Sequence, residues 1–225
     1  MNKFKNRINK IYNIIFGEKF YKKIDFNWDN FPKRYELINK VITKKNYKSY
    51  LEIGCDENQN FDKINIQEKI GIDPKKGGNI KMTSDSFFRT NQKNFDCIFI
   101  DGLHTYEQSK KDVINSINVL NENGMIFLHD CLPKSYFHQA TPRSRNTWNG
   151  DVWKVIVEYR VKEDFDTFTC FIDEGVGVIL KKKNRLILKK KFINFKKITF
   201  KEFYYNYKEL MNIVSYDKVE EYLNI

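Results

Sequence analysis

The chain of 225 residues carries 40 Lys and Arg against 29 Asp and Glu, a net charge of +11, with 41% hydrophobic and 16% aromatic residues. That length holds one α/β domain with a sizeable core plus additions and is short for two domains. No run nears the roughly 18 consecutive apolar residues of a membrane-spanning helix, and MNKFKNRINKIYNIIF lacks both an unbroken apolar stretch and a small-residue cleavage site, which argues against a signal peptide.

A basic, aromatic segment over 1–31 comes first, and FPKRYELINKVITKKN follows, where Tyr35, Leu37, Ile38, Val41 and Ile42 fall at helical spacing. Strands and helices then alternate. YKSYLEIG reads as a strand, FDKINIQE as a short helix, KIGID as a second strand and NIKM as a third. SDSFFRTN has the look of a helix start with Ser84 or Asp85 near the cap. FDCIFID is the fourth strand, TYEQSKKDVINSINVLNENG an amphipathic helix from Thr105 that stops at Gly124, and MIFLHD the fifth strand. GDVWKVIVEYR reads as a helix, TFTCFIDEGVGVILKKK as a hairpin turning at Asp173 to Gly175, and the lysine-rich tail from 181 ends in helices around 200–223. Such alternation predicts a parallel sheet with helices on both faces.

Cys55, Cys97, Cys131 and Cys170 stand far apart with no CxxC spacing, so reduced thiols and a cytoplasmic location are expected. The positive charge is not spread evenly. Residues 1–50 hold 13 Lys and Arg against 4 Asp and Glu and residues 181–225 hold 12 against 5, whereas the middle holds 15 against 20 and is net negative. Lysine and asparagine are abundant, as an AT-rich genome would produce; the alternative is attraction of the ends toward a membrane surface, a phosphorylated substrate or nucleic acid.

In an open parallel sheet, ligands bind beyond the carboxyl ends of the strands. Glu52 and Gly54, Asp73, Asp101 and Gly102, and His129 and Asp130 gather at those ends. One such carboxylate is ordinarily a loop anchor, but several aimed from different strands at one crevice describe a site.

The succession YLEIGCDENQNF, GIDPKKGG, TSDSFF, FDCIFIDGLHTYEQSKKD and NENGMIFLHD resembles class I S-adenosylmethionine-dependent methyltransferases over about residues 33–180. It is similar to the branch that modifies sugars and other small molecules, grouped with macrocin O-methyltransferase-like and cephalosporin hydroxylase-like proteins. The resemblance implies a Rossmann-like α/β fold, with a mostly parallel central sheet flanked by helices and an antiparallel C-terminal hairpin. It divides the chain into an extension at 1–32, a catalytic domain at 33–182 and a lysine-rich, partly helical extension at 183–225. Gly54 would let backbone approach the methionine portion of the cofactor, although Asp56 and Asn58 stand where further glycines are common. By the same resemblance Glu52 lies near the cofactor's amino acid end, Asp73 grips the ribose hydroxyls, and Ser84 and Asp85 meet the adenine unless they serve only as a helix cap.

Methyl transfer to oxygen needs the acceptor deprotonated and aligned with the sulfonium methyl. His104, three residues past Asp101, is the candidate base. Metal-assisted members of the branch carry Asp-x-x-His here with acidic ligands after the fifth strand, which implies Asp101 and Asp130 as ligands to Mg²⁺ or another divalent cation. The long connection CLPKSYFHQATPRSRNTWNGDVWK is expected to form a substrate-binding lid. His138, Arg143, Arg145 and Trp148 on it, with His129 at the end of the fifth strand, are the candidate substrate contacts, arginine suiting a phosphate or carboxylate and tryptophan a sugar face. WNGDVWK is similar to a segment beside the active site in this branch, which implies that Asn149 and Asp151 order the lid.

The expected function is O-methylation of a small molecule, a sugar of surface-glycan biosynthesis, nucleotide-linked, lipid-linked or free. Two alternatives remain at this point. An RNA methyltransferase is disfavoured by the acidic middle and by the lack of NPPY-like, paired-cysteine or RNA-binding signatures. A non-catalytic cofactor-binding or interaction protein is the other. IYNIIFGEKFYKKIDFNW serves self-association or packs on its own domain, and contact with a membrane surface stays open.

Overall fold

The structure, a computed structural model, describes residues 3–225. Strands β1 (Ser49–Ile53), β2 (Glu68–Ile72), β3 (Phe95–Ile100), β4 (Leu120–Leu128), β5 (Asp166–Cys170), β6 (Val176–Leu180) and β7 (Ile213–Val214) form a sheet in the order β2-β1-β3-β4-β6-β5-β7. The first four pair in parallel, and β6 runs antiparallel to both β4 and β5. Helices α1 (Lys3–Phe16), α2 (Arg34–Lys45), α3 (Ser84–Thr90), α4 (Tyr106–Asn118), α5 (Tyr136–Gln139), α6 (Trp153–Arg160), α7 (Phe200–Met211) and α8 (Val219–Leu223) complete the fold. This is the expected Rossmann-like α/β architecture with its C-terminal hairpin.

The strands are buried along most of their length, and β3, β6 and the second half of β4 are almost wholly apolar, because both faces of the sheet are covered. On β3, Cys97 and Phe99 join Leu37, Ile38 and Val41 of α2 and Val219 of α8. Ile98 and Ile100 point the other way, toward Val113 of α4, Ile156 of α6 and Phe203 of α7. All four cysteines are buried free thiols. Successive side chains of a strand face opposite sides, so one short run feeds two cores.

Chain order places the site. From β1 the chain moves outward to β2, then returns to β3 on the other side of β1, so the connections diverge between β1 and β3. The hydrogen-bond ladder continues one residue past the strands: Gly54 N donates to Ile72 O (2.9 Å), Asp101 N to Ile53 O (2.8 Å) and His129 N to Ile100 O (3.0 Å). Gly54, Asp101 and His129 therefore stand side by side at the mouth of the sheet.

Three expected elements differ. The helix through Gly124 ends at Asn118, and Leu120 already pairs with Phe95 on β3. Asn121 to Gly124 loop out of register before Met125 meets Cys97, and Asp96 anchors both sides by accepting from Asn121 Nδ2 (2.7 Å) and Lys48 N (2.7 Å). NIKM contributes one bridge, Ile72 to Ile80, rather than a strand, and FDKINIQE only a 3₁₀ turn at Phe61–Lys63. The cap of α3 is Thr83, whose side chain accepts from Ser86 N (3.2 Å), not Ser84 or Asp85.

The N-terminal arm is tied to the far end of the chain. Phe20 packs on Phe200 and Tyr204, and Phe26 and Trp28 pack on Phe171. Glu18 accepts from Phe200 N and Lys201 N, both at 2.6 Å, so its carboxylate satisfies two otherwise unpaired amides of the first turn of α7. Glu18→Ala should cost about 1 kcal/mol, the usual value of a lost N-terminal cap; chemical denaturation of wild type and variant reads the difference.

Candidate active site

A cavity of about 740 Å³ opens beyond β1, β2 and β3. Glu52, Gly54, Asp73, Ser84, Asp85, Asp101, His104 and Arg143 line it, together with Arg34, Gln108 and Asp112, which sequence reasoning did not single out.

Gly54 sits at φ +85°, and a Cβ there would stand 2.3 Å from the carbonyl oxygen of Asp101. The left-handed backbone continues at Asp56 (φ +42°) and Asn58 (φ +61°), residue types that tolerate it better than most. Asp56 and Asn58 thus take a backbone conformation that glycine favours. Asn58 Oδ1 accepts from Gly78 N (2.6 Å), joining the loop after β1 to the loop after β2.

Asp73 makes the same junction. Its Oδ2 accepts from Asp56 N (3.0 Å) and its Oδ1 from Lys75 N (2.7 Å) and Lys76 N (2.9 Å). Partial burial would raise its pKa, but these three amide donors outweigh that and hold the carboxyl below its ordinary value. Ser84 and Asp85 sit in the first turn of α3, where Gln108 Nε2 reaches Ser84 Oγ (3.3 Å) and Asp85 Oδ1 (3.2 Å) and also Asp112 Oδ1 (3.0 Å). Burial pushes Asp112 up to about 6. Asp85 pairs outward with Lys111 Nζ at 2.6 Å.

Glu52 lies at the inner wall, fully buried, accepting from Tyr50 Oη (2.5 Å) and Asn60 Nδ2 (2.8 Å). Burial dominates over both donors and pushes it up to about 7.

At the other side of the cavity, three elements converge on His104. Its Nε2 stands 3.1 Å from Asp101 Oδ1 and its Nδ1 2.9 Å from Asp130 Oδ2, while the ring stacks on Trp148 with centroids 5.6 Å apart. Burial would lower its pKa, but Asp130 and Asp101 together hold it well above the ordinary value. The approach of the Trp148 loop is close because Gly150, at φ +67°, lies against the His104 carbonyl, where any Cβ would collide. Asp130 also accepts from Asn149 Nδ2 (2.9 Å), and Asp151 Oδ1 takes Tyr106 N (2.7 Å) at the start of α4.

Behind this pair is a charge-matched network. His129 Nδ1 faces Asp101 Oδ1 (3.3 Å), and its Nε2 faces the Asp173 carbonyl (2.8 Å). Arg34 NH1 reaches Asp173 Oδ2 (2.9 Å) and NH2 approaches Asp101 Oδ2 (3.8 Å). Burial opposes the charge on His129, but Asp101 and Asp130 push it up to about 9. Asp101, buried enough to rise, is instead held well below the usual carboxylate range by His129 and His104.

The structure brings Asp101, His104 and Asp130 together, with one ligand atom of each within 4.8 Å of the others. Arg143 reaches the cavity, and Trp148 backs His104. His129, His138 and Arg145 stand outside the lining: His138 Nδ1 is engaged by Ser135 Oγ (2.8 Å) and Arg145 NH1 (3.2 Å). Burial and the Arg145 charge lower His138 to about 4, leaving it neutral. The connection that carries these residues is packed, with Cys131, Leu132, Tyr136 and Ala140 in the core.

Residues 28–131 match a family model described as a methyltransferase domain. Among solved structures, the chain is similar to the SAH-bound methyltransferase PaMTH1 of Podospora anserina, at 16% identity and TM-score 0.51 over 67% of this chain and 78% of that one. It is also similar to a putative O-methyltransferase of Klebsiella pneumoniae, at 9% identity and TM-score 0.51 over 80% and 89% of the two chains. At such identities the likeness is one of fold. No curated protein matches the chain. Residues 28–131 thus resemble a methyltransferase domain, and the fold around them is one that methyltransferases share.

The buried Glu52 has a measurable signature. Its folded pKa of about 7 exceeds the ordinary 4.5, so folding binds a proton there. Its contribution favours the fold below pH 4.5 and is lost as pH rises toward 7. Glu52→Gln should remove a decline on the order of 2 kcal/mol over that window, read as a flatter unfolding free energy against pH.

Proposed function

We propose that this protein is a methyltransferase that takes its methyl group from S-adenosylmethionine and transfers it to a hydroxyl of a small molecule, a sugar of surface-glycan biosynthesis. One observation carries the reading: Glu52, Gly54, Asp73, Ser84, Asp85, Asp101 and His104 all line a single cavity. Its volume suits one cofactor plus an acceptor group.

In this reading the methionine portion lies over the Gly54 loop, with its ammonium toward Glu52. The ribose hydroxyls meet Asp73, whose charge is already secured by three amides, and the adenine lies by Ser84 and Asp85. The sulfonium methyl then faces the mouth of β3. His104 rests as an imidazolium between Asp130 and Asp101. It takes the role of base once its Nε2 proton has left, in the tautomer whose Nδ1–H donates to Asp130. The same two carboxylates that keep that deprotonated form scarce make it a strong acceptor for the proton of the substrate hydroxyl. As that O–H bond breaks, the acceptor oxygen forms its bond to the methyl carbon and the carbon–sulfur bond breaks, releasing S-adenosylhomocysteine. Asp101, 3.1 Å from Nε2, steadies the imidazolium that results.

The same residues fit a divalent cation, since two carboxylates and an imidazole with clustered ligand atoms are a hard to borderline donor set. Asp101, His104 and Asp130 would hold it, and when bound it would supply Lewis-acid polarisation of the acceptor hydroxyl. Asn149 and His129 orient the two carboxylates. Arg143 at the rim suits a phosphate or carboxylate on the acceptor.

Calorimetric titration with S-adenosylhomocysteine, with Mg²⁺ or with EDTA, tests the donor site. Wild type should bind saturably, and Asp73→Asn, which keeps an acceptor oxygen but loses the charge, should bind about 10-fold more weakly. His104→Gln should keep that binding while product release with sugar acceptors falls by about 10²–10⁴. Absence of binding by folded wild type would overturn the donor assignment.

A further inference from the structure

The N-terminal helix is inside out. Asn6, Asn9 and Asn13 share one side of α1, and that polar side faces the protein: Asn13 Nδ2 donates to Pro142 O (2.9 Å), Asn9 Nδ2 to Arg143 O (2.7 Å) and Asn6 Nδ2 to Asn146 Oδ1 (3.2 Å). Asn13 is fully buried. The opposite side carries Ile8, Ile11 and Ile15, which are 51%, 51% and 58% exposed. A surface helix ordinarily turns its apolar stripe to the core, so a ridge of isoleucines aimed outward needs another surface to lie against.

The charges around the ridge say which. Lys3, Arg7 and Lys10 flank it on one side and Lys5 on the other, with Tyr12 between ridge and rim; residues 3–16 hold no Asp or Glu, and Lys19, Lys22 and Lys23 follow. We infer that α1 docks on a membrane surface containing anionic lipid, its isoleucines entering the headgroup boundary and its cations meeting the phosphates. A second copy of the helix fits less well: Ile8, Ile11 and Ile15 have the spacing of a paired seam, but self-pairing would set lysine and arginine against lysine and arginine with no acid to match them.

Docking would also place the active site. Asn9 holds the carbonyl of Arg143, whose side chain lines the cavity, so a helix lying on the headgroups brings the cavity rim to them. A membrane-borne acceptor is the corollary; it rests on the reaction proposed above, whereas the docking itself does not.

Co-sedimentation of the full chain with vesicles tests the docking. Vesicles of phosphatidylcholine with one third phosphatidylglycerol should retain the protein, phosphatidylcholine alone should not, and high salt should release it. Ile8→Glu with Ile15→Glu should weaken retention at least about 10-fold while circular dichroism, the thermal transition and S-adenosylhomocysteine titration stay unchanged. Lys3→Glu with Lys10→Glu should do the same through charge. Equal retention by neutral and anionic vesicles, or indifference to the isoleucine substitutions, would overturn the inference. So would a dimer, seen by light scattering, that the isoleucine substitutions dissociate, because the ridge would then belong to a second copy. Loss of cofactor binding with vesicle retention intact would sink the reaction and leave the docking standing.

Discussion

Three carboxylates meet where three strands end, and the rest of the site depends on their being neutralised. Asp101, Asp130 and Asp173 would repel one another in a partly buried space, and burying an unpaired charge costs far more than the few kcal/mol by which a domain is stable. Arg34, His104 and His129 supply the matching positive charge from α2, from the loop after β3 and from the end of β4. The network therefore clamps the β5–β6 hairpin and α2 onto the parallel half of the sheet through Asp173 and Arg34. It also fixes the direction of the His104 ring, which the proposed chemistry requires.

Much of this was legible in the sequence because strand ends are local. FDCIFID names a buried strand and its terminal carboxylate in seven residues, and His104 follows within reach of Asp101. Arg34 was not legible: its partner Asp173 is 139 positions away, and nothing around FPKRYEL marks a residue that will turn toward a distant hairpin. Asp173 was read as a turn residue, which its φ of +41° bears out, but its second role appears only when the hairpin is folded against α2. The helix carried too far, to Gly124, shows the same limit. The helical pattern of TYEQSKKDVINSIN is real, and pairing of Leu120 with Phe95 then overrides its continuation.

The cofactor side teaches a different point. The loop after β1 holds Asp56 and Asn58 in left-handed backbone of the kind glycine adopts most easily. Asparagine adds what glycine cannot, a side-chain bond that braces the neighbouring loop at Gly78. The lysine-rich connection after β2 is held by Asp73 in turn, so the floor of the cavity is braced before any ligand arrives.

Burial of every thiol gives the molecule an internal clock. Cys55, Cys97, Cys131 and Cys170 are all enclosed, and burial raises each thiol above its ordinary pKa. The thiolate is the form that alkylating reagents attack, so the folded chain withholds all four from them, and the rate of modification counts openings rather than chemistry. Cys97 lies on the central strand β3 and Cys170 at the end of β5 beside the edge strand β7, both in the core, and they report dissolution of the sheet. Cys55 stands at the wall of the cavity, beside the loop that would enclose the methyl donor, and reports that loop alone. One cysteine-directed mass shift thus separates the breathing of the binding loop from the unfolding of the domain, with no label added to the chain.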